Sequence, residues 1–545
     1  MKIKYFYLLG AAWLSLTDAY CPPTGPVLPP PDIPSDGKLT TTLNNALQKL
    51  AKSGIWNTTT TSFSVELTSS KENVFSFHHT SPKLNSSGVD KVDSKTIYRV
   101  ASVTKVFTTF ALLLQNGINL DDSITKYVPE LSKIAWYKDV TLRMLASQIS
   151  GVHRDGYTFD LATTFPPMVL HGLGFPDVER PSEVPLCDTL SDLPCTRAEF
   201  FKDLENNEYV WQPGQRAAYS DLGFILLGFA LENITGMSYG EIISQQISKP
   251  LNLSFVVGFK LQDLSKSILP IEGGSQWMER DFGNYAATAG LYATPDDLSH
   301  FVRGVLSHKL LTGPKTDTWL QPATFTSSLY SSVGMPWEIY RTKSLTPSAR
   351  PVDVYTKSGD VGVYAAYIAL IPEYDVGFTI NAAGADAYIT SRSLLNEMTK
   401  IVVQGLDQLA RSQAQSRYTG HYSGNNDSLV LAIDKGPGLK IQKWTSNGDS
   451  VLGAWQQLRA GGGQVDARIY PIGKDNRWRV VFEVVSNTST SPFGDACYSW
   501  FQVDQFRYQG LPVDEIDFVI EDGRVKGLSV PGLRQTLAKT SSLSY

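Results

Sequence analysis

Apolar residues recur every three or four positions in several stretches of the chain, a spacing that places them on one face of an α-helix. The first of these stretches runs from Leu39 to Ala51 and is followed by Gly54, a residue type that often ends helices. Similar patterns, with turn or cap residues at their ends, predict helices over Val106–Leu114, Leu222–Leu231, Tyr239–Gln246, Pro295–Leu306 and Ser391–Leu409.

Shorter segments alternate apolar and polar residues, or are apolar throughout, as β-strands do. They are Phe63–Leu67, Val74–Phe77, Val352–Lys357, Tyr364–Ile371 and Val376–Ile380. Because hairpins lie between helices that open and close this part of the chain, residues 38–410 are predicted to form an α+β domain.

The composition changes after Ala410. The polar stretch Ser412–Ser416 is typical of a linker, and the residues beyond it form short strand-like runs separated by Gly, Asn and Asp turns. Residues 416–545 are therefore predicted to form a separate all-β module of sandwich or barrel type.

The charge balance narrows the possible partners. The chain carries 48 Lys and Arg against 53 Asp and Glu, a formal net charge of -5. A nucleic-acid-binding surface needs an excess of basic residues, so no nucleic-acid partner is expected.

The sequence also contains no zinc-ligand spacing, and the glycines at 461–463 lack the Lys of a phosphate loop, so no metal or cofactor is expected. The oligomeric state stays open.

The first 19 residues have the pattern of a secretory signal peptide. Lys2 and Lys4 precede the apolar run Tyr5–Leu16, and a small residue, Ala19, stands at the cleavage position. The run is shorter than the roughly 20 residues that span a bilayer, so no membrane partner is expected. Residues 20–37 form a Pro-rich leader that is predicted to run extended over the surface of a secreted, extracellular protein.

Four cysteines fit an oxidising compartment and could form two disulfides in any of three pairings. Cys187 with Cys195 is favoured because the loop between them is short, and Cys21 with Cys497 then follows by elimination. Glycosylation is expected at the sequons of a secreted protein. They begin at Asn57, Asn85, Asn233, Asn252, Asn426 and Asn487.

A Ser-x-x-Lys motif, Ser102 to Lys105, stands at the start of the predicted apolar helix. Residues three apart share one face of a helix, so the amine of Lys105 can reach the hydroxyl of Ser102 and activate it as a nucleophile. The free N–H groups of a helix N-terminus also favour an oxyanion. The motif alone is weak, because a capping Ser and a solvated Lys produce the same pattern.

Two further motifs follow in order along the chain. Tyr219-Ser220-Asp221 precedes a predicted helix, and Lys357-Ser358-Gly359 lies at the end of a predicted strand. With these three motifs the chain resembles the serine β-lactamase and penicillin-binding-protein family, closest to the class C β-lactamase and esterase branch. The resemblance covers residues 38–410 and implies a β-lactamase/transpeptidase-like fold, an antiparallel sheet flanked by helices together with a helical subdomain.

The resemblance implies a catalytic role for three residues. Ser102 would be the acylated nucleophile, and Lys105 would be its proton partner. Tyr219 would act as the base or proton relay for acylation and deacylation. No cofactor is implied.

The resemblance also implies a substrate-binding role for the third motif. Lys357, with Ser358 and Gly359 beside it, would hold a substrate carboxylate or favour an ionised Tyr219 through its charge. The oxyanion hole would consist of the backbone N–H groups of the nucleophile and of Asp360.

Three residue changes depart from the family pattern. Asp221 replaces an Asn that would donate to a substrate amide, and an ionised Asp only accepts hydrogen bonds, so a β-lactam side chain would be held poorly. Ser358 replaces Thr, a mild change. Residues 147–149 are Ser-Gln-Ile where Thr-His-Thr is common, and the sequence offers no mechanism for that change.

Two other stretches have competing interpretations. His153 to Tyr209 is rich in Phe, Pro and Gly and contains the Cys187 and Cys195 pair, which fits either an apolar lid beside the pocket or a surface insertion. Residues 236–240 match the Gly-x-Ser-x-Gly elbow of α/β-hydrolases, but a predicted helix rather than a strand precedes them. Ser238 is therefore predicted to be a helix N-cap.

The leading hypothesis is a secreted serine hydrolase or acyltransferase that acts on a small-molecule ester or amide through an acyl-Ser102 intermediate. The departures at Asp221 and residues 147–149 disfavour a dedicated antibiotic β-lactamase. The alternative is a catalytically idle binding protein that keeps the fold as a scaffold. The presence of Ser102, Lys105, Tyr219 and Lys357 together favours the enzyme.

Overall fold

The computed structural model describes residues 21–541, apart from 36, 157–159, 180–186, 188–193, 206, 255, 258–260, 262, 461–464, 474–475, 485–496 and 498. The predicted signal peptide, the sequon at Asn487 and the glycines at 461–463 lie outside the described residues. The chain divides into two compact units. One comprises residues 30–342 and 351–407, and the other comprises the described parts of 1–29, 343–350 and 408–545.

The first unit contains an antiparallel eight-stranded sheet. The two strands Tyr364–Ile371 and Val376–Ala383 are buried at every position, which explains why their sequences are almost continuously apolar. In spatial order the strands are Asn73–His79, Ser62–Ser69, Val376–Ala383, Tyr364–Ile371, Val352–Val361, Glu338–Thr342, Ser331–Val333 and Thr324–Phe325.

Helices complete this unit. Helix Pro295–Leu306 contacts strands Ser62–Ser69 and Val376–Ala383, and its Phe301 ring stacks 4.3 Å from that of Phe107, centroid to centroid. Phe107 belongs to helix Thr104–Leu114, so the segment that follows Ser102 is fixed in the core. The α-helices are Lys38–Ala51, Thr104–Leu114, Leu142–Ala146, Leu161–Thr164, Pro167–Gly172, Arg197–Glu205, Asp221–Thr235, Tyr239–Ile243, Lys249–Leu251, Gly274–Glu279, Ala286–Ala289, Pro295–Leu306 and Gly313–Trp319. The last helix, Ala387–Tyr418, begins in this unit, and its residues from 408 onward belong to the second unit.

The second unit is a closed barrel of eight antiparallel strands, which resolves the expected choice between sandwich and barrel. Strand Asp427–Ala432 pairs with Leu439–Ser446 and closes the circle. The module is not purely β, because it also carries helix Val451–Ala460. Around the barrel the strands are Asp427–Ala432, Gly420–Gly424, Gln535–Ser541, Arg524–Val530, Glu515–Glu521, Arg477–Val484, Val465–Pro471 and Leu439–Ser446.

Two sequence predictions at the edges of the barrel unit are wrong. Residues 412–416 are not a linker but part of helix Ala387–Tyr418, whose residues Ala410, Ala414 and Tyr418 recur every four positions and are buried in the barrel core. The Pro-rich leader is not confined to the surface, since Val27 and Leu28 are buried in the same core.

Both disulfides favoured from the sequence are present. Cys21 bonds to Cys497 within the barrel unit, and Cys187 bonds to Cys195 within the first unit, with Cα–Cα distances of 5.2 Å and 4.7 Å. Among the described residues, no single helix has both the length and the apolar character to cross a membrane, and one bent pair, Asp221–Thr235 with Tyr239–Leu251, meets these criteria.

Candidate active site

Ser102 lies on a one-turn 3-10 helix, Ala101–Val103, that leads into helix Thr104–Leu114. The residue before it, Ala101, has a φ of 45°, a left-handed conformation that a residue with a Cβ rarely adopts. Thr104 stabilises the turn by donating its hydroxyl to the carbonyl of Ala101 at 2.6 Å. The strained residue Ala101 therefore lies directly before the half-buried Ser102, and strain of this kind is found at functional sites.

Lys105 is fully buried, and its ammonium group contacts three acceptors. Its Nζ donates to Oγ of Ser102 at 2.9 Å, to Oδ1 of Asp221 at 2.5 Å and to the carbonyl of Thr288 at 3.1 Å. An ammonium has three N–H groups, so each finds one partner. In the resting state Lys105 is a paired cation that orients Ser102.

Tyr219 donates its hydroxyl to Oγ of Ser102 at 2.8 Å. Three cations surround its ring: the Nζ atoms of Lys105 and Lys357 and the guanidinium carbon of Arg154 lie 4.9, 5.2 and 5.0 Å from the ring centroid. Nearby positive charge stabilises negative charge that develops on the phenol oxygen. The oxygen of Tyr219 thus lies within reach of Oγ of Ser102, and its role as base or proton relay stays a prediction.

Gln148 fixes the backbone on both sides of Tyr219. Its side-chain oxygen accepts from the N–H of Ser220 at 2.7 Å, and its carbonyl accepts from the N–H of Ala218 at 2.8 Å. Gln148 is buried and has a φ of 60°. These contacts give Gln148 a structural role, which the sequence alone did not explain.

Asp221 does not face outward as a substrate ligand but lies within the buried network. It accepts from Lys105 and, at 2.6 Å, from the hydroxyl of Thr288. Burial opposes ionisation of Asp221, but the charge of Lys105 outweighs it and holds the pKa of Asp221 well below its ordinary value. Asp221 therefore serves as the counter-ion of Lys105.

A second carboxyl, Asp155, lies against Asp221. Burial, together with a hydrogen bond to Asp221 and the charge of Asp221, raises the pKa of Asp155 to about 7. The Arg154 guanidinium, 2.9 Å from the Asp155 carboxyl, opposes this rise. Two adjacent carboxyls that share one proton form an acid–carboxylate pair, with Asp155 as the donor below neutral pH.

Lys357, the first residue of the third motif, is buried, and its charge is also paired. Its Nζ donates to Oε1 of Glu338 at 2.6 Å and to the carbonyl of Ser358 at 2.8 Å. The N–H and the hydroxyl of Ser358 donate to the two oxygens of Glu338 at 3.0 Å and 2.8 Å. Each lysine of the site therefore has its own carboxylate.

Gly359 allows strand Val352–Val361 to approach the nucleophile turn. A Cβ at this position would collide with the carbonyl of Val100 and lie 2.8 Å from the backbone N of Ser102. Asp360, next along the strand, is exposed to solvent. The strand that carries Asp360 thus runs directly beside the amide of Ser102, and its part in an oxyanion hole stays a prediction.

The other sequence candidates lie elsewhere. Ser238 is the N-cap of helix Tyr239–Ile243, where it exchanges hydrogen bonds with Glu241. Four of the five described sequon asparagines are exposed, and Asn85 is half-buried. Within the described part of the chain, no group of three or more His, Cys, Asp or Glu side chains could hold a metal ion.

The stretch from His153 to Tyr209 begins at the site, since Arg154 and Asp155 contact its residues. Its described part contains helices Leu161–Thr164, Pro167–Gly172 and Arg197–Glu205. Large apolar side chains are exposed on it: Leu161, Phe165, Met168, Val169, Leu173, Phe175 and Val178. The choice between a lid and a surface insertion stays open.

This combination of fold and Ser-Lys-Tyr arrangement defines a β-lactamase-type hydrolase. The Beta-lactamase family matches residues 78–395, more than half of the chain, and the chain belongs to this family. The family described as "Beta-lactamase-like-like, C-terminal domain" matches residues 410–541. The expected resemblance and fold class are both confirmed.

Particular relatives share most of the chain's length. A "Beta-lactamase-like protein" of Arthroderma benhamiae is 31% identical over 601 aligned residues, which cover 98% of this chain and 99% of that protein. A "Probable hydrolase M10" of a Phoma species is 29% identical and covers 88% of this chain and 84% of its own. Among solved structures, the octameric penicillin-binding protein homologue from Pyrococcus abyssi is 19% identical over 92% of this chain and 99% of its own, with a TM-score of 0.48.

The acid–carboxylate pair predicts a pH-dependent stability difference for Asp155→Asn. The unfolded chain ionises Asp155 near pH 4 and the folded protein only near pH 7, so wild-type stability falls as pH rises through this window. Asn cannot ionise and still donates to Asp221. The free energy of unfolding of the variant should therefore rise relative to wild type between pH 4 and 7, by at most about 1.4 kcal/mol per pH unit, and the difference should be constant above pH 8.

Urea unfolding at pH 4, 5.5, 7 and 8.5 measures this difference. Asp139→Asn, at an exposed position, is the matched control and should show no trend. A difference between Asp155→Asn and wild type that is independent of pH would contradict the shared proton.

Proposed function

We propose that the protein is a serine hydrolase or acyltransferase that forms an acyl-enzyme at Ser102 with an ester or amide substrate. The observation that carries the proposal is that Oγ of Ser102 is hydrogen-bonded to both Nζ of Lys105, at 2.9 Å, and the hydroxyl of Tyr219, at 2.8 Å. A serine hydroxyl becomes an effective nucleophile when an adjacent group accepts its proton. The Beta-lactamase family and the relatives named as probable hydrolases support the same class of chemistry.

In the acylation step Tyr219 acts as the phenolate, its hydroxyl proton having passed to solvent. Oγ of Ser102 attacks the substrate carbonyl carbon while its proton passes to the phenolate oxygen of Tyr219, which becomes a neutral phenol. Lys105 remains an ammonium, paired with Asp221, and stabilises the negative charge that passes through Oγ and the phenol oxygen. The tetrahedral intermediate then collapses, and the bond to the leaving alcohol or amine breaks. Tyr219 gives the proton to that leaving group, which leaves acyl-Ser102 and restores the phenolate.

The deacylation of Ser102, the second half of the reaction, reverses these proton transfers. A water molecule or another alcohol occupies the place of the leaving group and gives its proton to Tyr219 as its oxygen attacks the acyl carbon. The bond to Oγ of Ser102 breaks, and the proton returns to Oγ. Water as acceptor gives hydrolysis, and an alcohol gives acyl transfer.

Esters suit this site better than β-lactams with an amide side chain. Asp221 is engaged with Lys105 and Thr288 and offers no N–H to a substrate carbonyl.

We also propose that the protein is secreted and glycosylated. The signal-like residues 1–19, the two disulfides and the exposed sequons support this assignment.

An activity-based probe tests the acyl-serine mechanism directly. A fluorophosphonate should phosphonylate Oγ of Ser102 and lose fluoride, because only an activated serine attacks phosphorus at a useful rate. Digestion and mass mapping should place a single adduct on the peptide that contains Ser102.

Heat-denatured protein and Ser102→Ala are the matched controls, and both should remain unlabelled. Absence of an adduct on folded wild-type protein would contradict the enzyme hypothesis and would support the hypothesis of a catalytically idle binding protein. An adduct on Ser238 instead would support an α/β-hydrolase mechanism.

A further inference from the structure

The third motif contains the cation and hydroxyl that are expected to receive a substrate carboxylate. The side chain of Lys357 is 2% exposed, and its Nζ lies 5.2 Å from the ring centroid of Tyr219, which itself contacts Ser102. Ser358 adds a hydroxyl and a backbone N–H beside it. A carboxylate bound here would lie next to the reacting carbonyl.

All of these donors are already bound to Glu338. Its carboxylate accepts from Nζ of Lys357 at 2.6 Å, from the hydroxyl of Ser358 at 2.8 Å and from the N–H of Ser358 at 3.0 Å. A charged acceptor with three short hydrogen bonds is strongly held. Glu338 thus makes the contacts that an external carboxylate would make.

The pair is charged at neutral pH. Burial opposes ionisation of both groups, but the attraction between them dominates. The pKa of Glu338 is lowered, and that of Lys357 is raised. An incoming carboxylate would therefore meet a neutralised lysine and a like charge on Glu338.

We propose that Glu338 makes the site selective for esters and amides that carry no carboxylate beside the scissile bond, by binding Lys357 and Ser358 in place of a substrate anion. The inference rests on the proposed function, since it specifies the substrate class of the same site. Glu338 comes from strand Glu338–Thr342, which pairs with the strand of the third motif. Two other cations lie near Tyr219. Lys105 is paired with Asp221, and Arg154 has a side chain that is 65% exposed and bonded to Asp155, so solvent screens it.

A matched pair of substrates tests the selectivity. 3-Acetoxybenzoate and its methyl ester have the same acetyl group and similar phenolic leaving groups but differ by one negative charge. Wild-type kcat/KM should be at least about tenfold higher for the methyl ester. In Glu338→Gln, which removes the charge at similar size, the ratio of the two values should shift toward the anionic ester by about tenfold or more.

Asp353→Asn is the control, because it removes a carboxylate from the same strand as Lys357 while leaving the Glu338 pair intact. It should keep the wild-type ratio. Equal or higher wild-type kcat/KM for the anionic ester would overturn the proposal without any variant. An unshifted ratio in a folded Glu338→Gln protein would overturn the role of Glu338.

A binding measurement separates this proposal from the catalytic one. In Ser102→Ala protein, which cannot be acylated, calorimetry with the same two esters should show tighter binding of the methyl ester. Tighter binding of the anion would overturn the selectivity whatever the kinetics show. Failure of fluorophosphonate to label Ser102, with the methyl ester still preferred in binding, would overturn only the acyl-serine mechanism.

Discussion

Ser102→Ala is expected to lower kcat/KM for a p-nitrophenyl ester by at least about 1000-fold, because removal of an activated nucleophile abolishes the covalent route. The oxygen that both Lys105 and Tyr219 contact is the atom removed. Alanine fits without steric cost, so the fold should persist. Release of p-nitrophenol and the loss of burst kinetics measure the effect.

Ser238→Ala is the matched control for this substitution. Ser238 only caps helix Tyr239–Ile243, so its loss should cost about 1 kcal/mol of stability and leave kcat/KM within about twofold. If Ser238→Ala removed activity while Ser102→Ala retained it, the Gly-x-Ser-x-Gly serine would be the nucleophile and the mechanism proposed for Ser102 would be wrong.

The elements that the sequence predicted best are those with the strongest local signals. Strand Tyr364–Ile371 has the predicted bounds because its run of buried residues ends at Pro372. Helix Pro295–Leu306 also matches, since Thr294 caps it and Pro295 fits its first turn.

The errors at residues 412–416 and in the Pro-rich leader have one cause. Within 410–418 only Ala410, Ala414 and Tyr418 are buried in the barrel core, and two small residues among polar ones give little hydrophobic signal. Val27 and Leu28 lie among prolines, where no periodicity indicates a buried side. In both places tertiary packing determines which side chains are buried, and the local sequence pattern does not indicate this packing.

The residues of the candidate site also fall into two groups, those that the sequence could predict and those that it could not. Ser102, Lys105, Tyr219 and Lys357 stand in short motifs whose spacing could be recognised. Their partners could not be found in this manner, because they come from elements distant in the chain and carry no motif. They are Gln148, Asp155, Thr288 and Glu338. At Asp221 the sequence predicted only a poor ligand for a substrate amide, and its ion pair with Lys105 became visible in the structure.

Tyr219→Phe is expected to lower kcat by about 100- to 10,000-fold, the usual range for loss of a general acid–base group. All three N–H groups of Lys105 are engaged and its charge is paired with Asp221, so it has no free site for a proton. The oxygen of Tyr219 lies 2.8 Å from Oγ of Ser102, so the proposed phenolate form can accept the proton directly. KM should change by less than about threefold, since the ring remains in place.

Tyr127→Phe provides the control for loss of a phenol hydroxyl. The hydroxyl of Tyr127 donates to the carboxylate of Asp122 at 2.8 Å and takes no part in the contacts described around Ser102, so this variant should keep wild-type kcat. A loss of less than about tenfold in Tyr219→Phe would mean that Lys105 accepts the proton, which requires it to release its ammonium proton toward Asp221 first. In that case Asp221→Asn, which removes the counter-ion, should reduce kcat more than Tyr219→Phe does. If Tyr219 is the acceptor, the order of the two effects is reversed, because Lys105 then acts only through its charge.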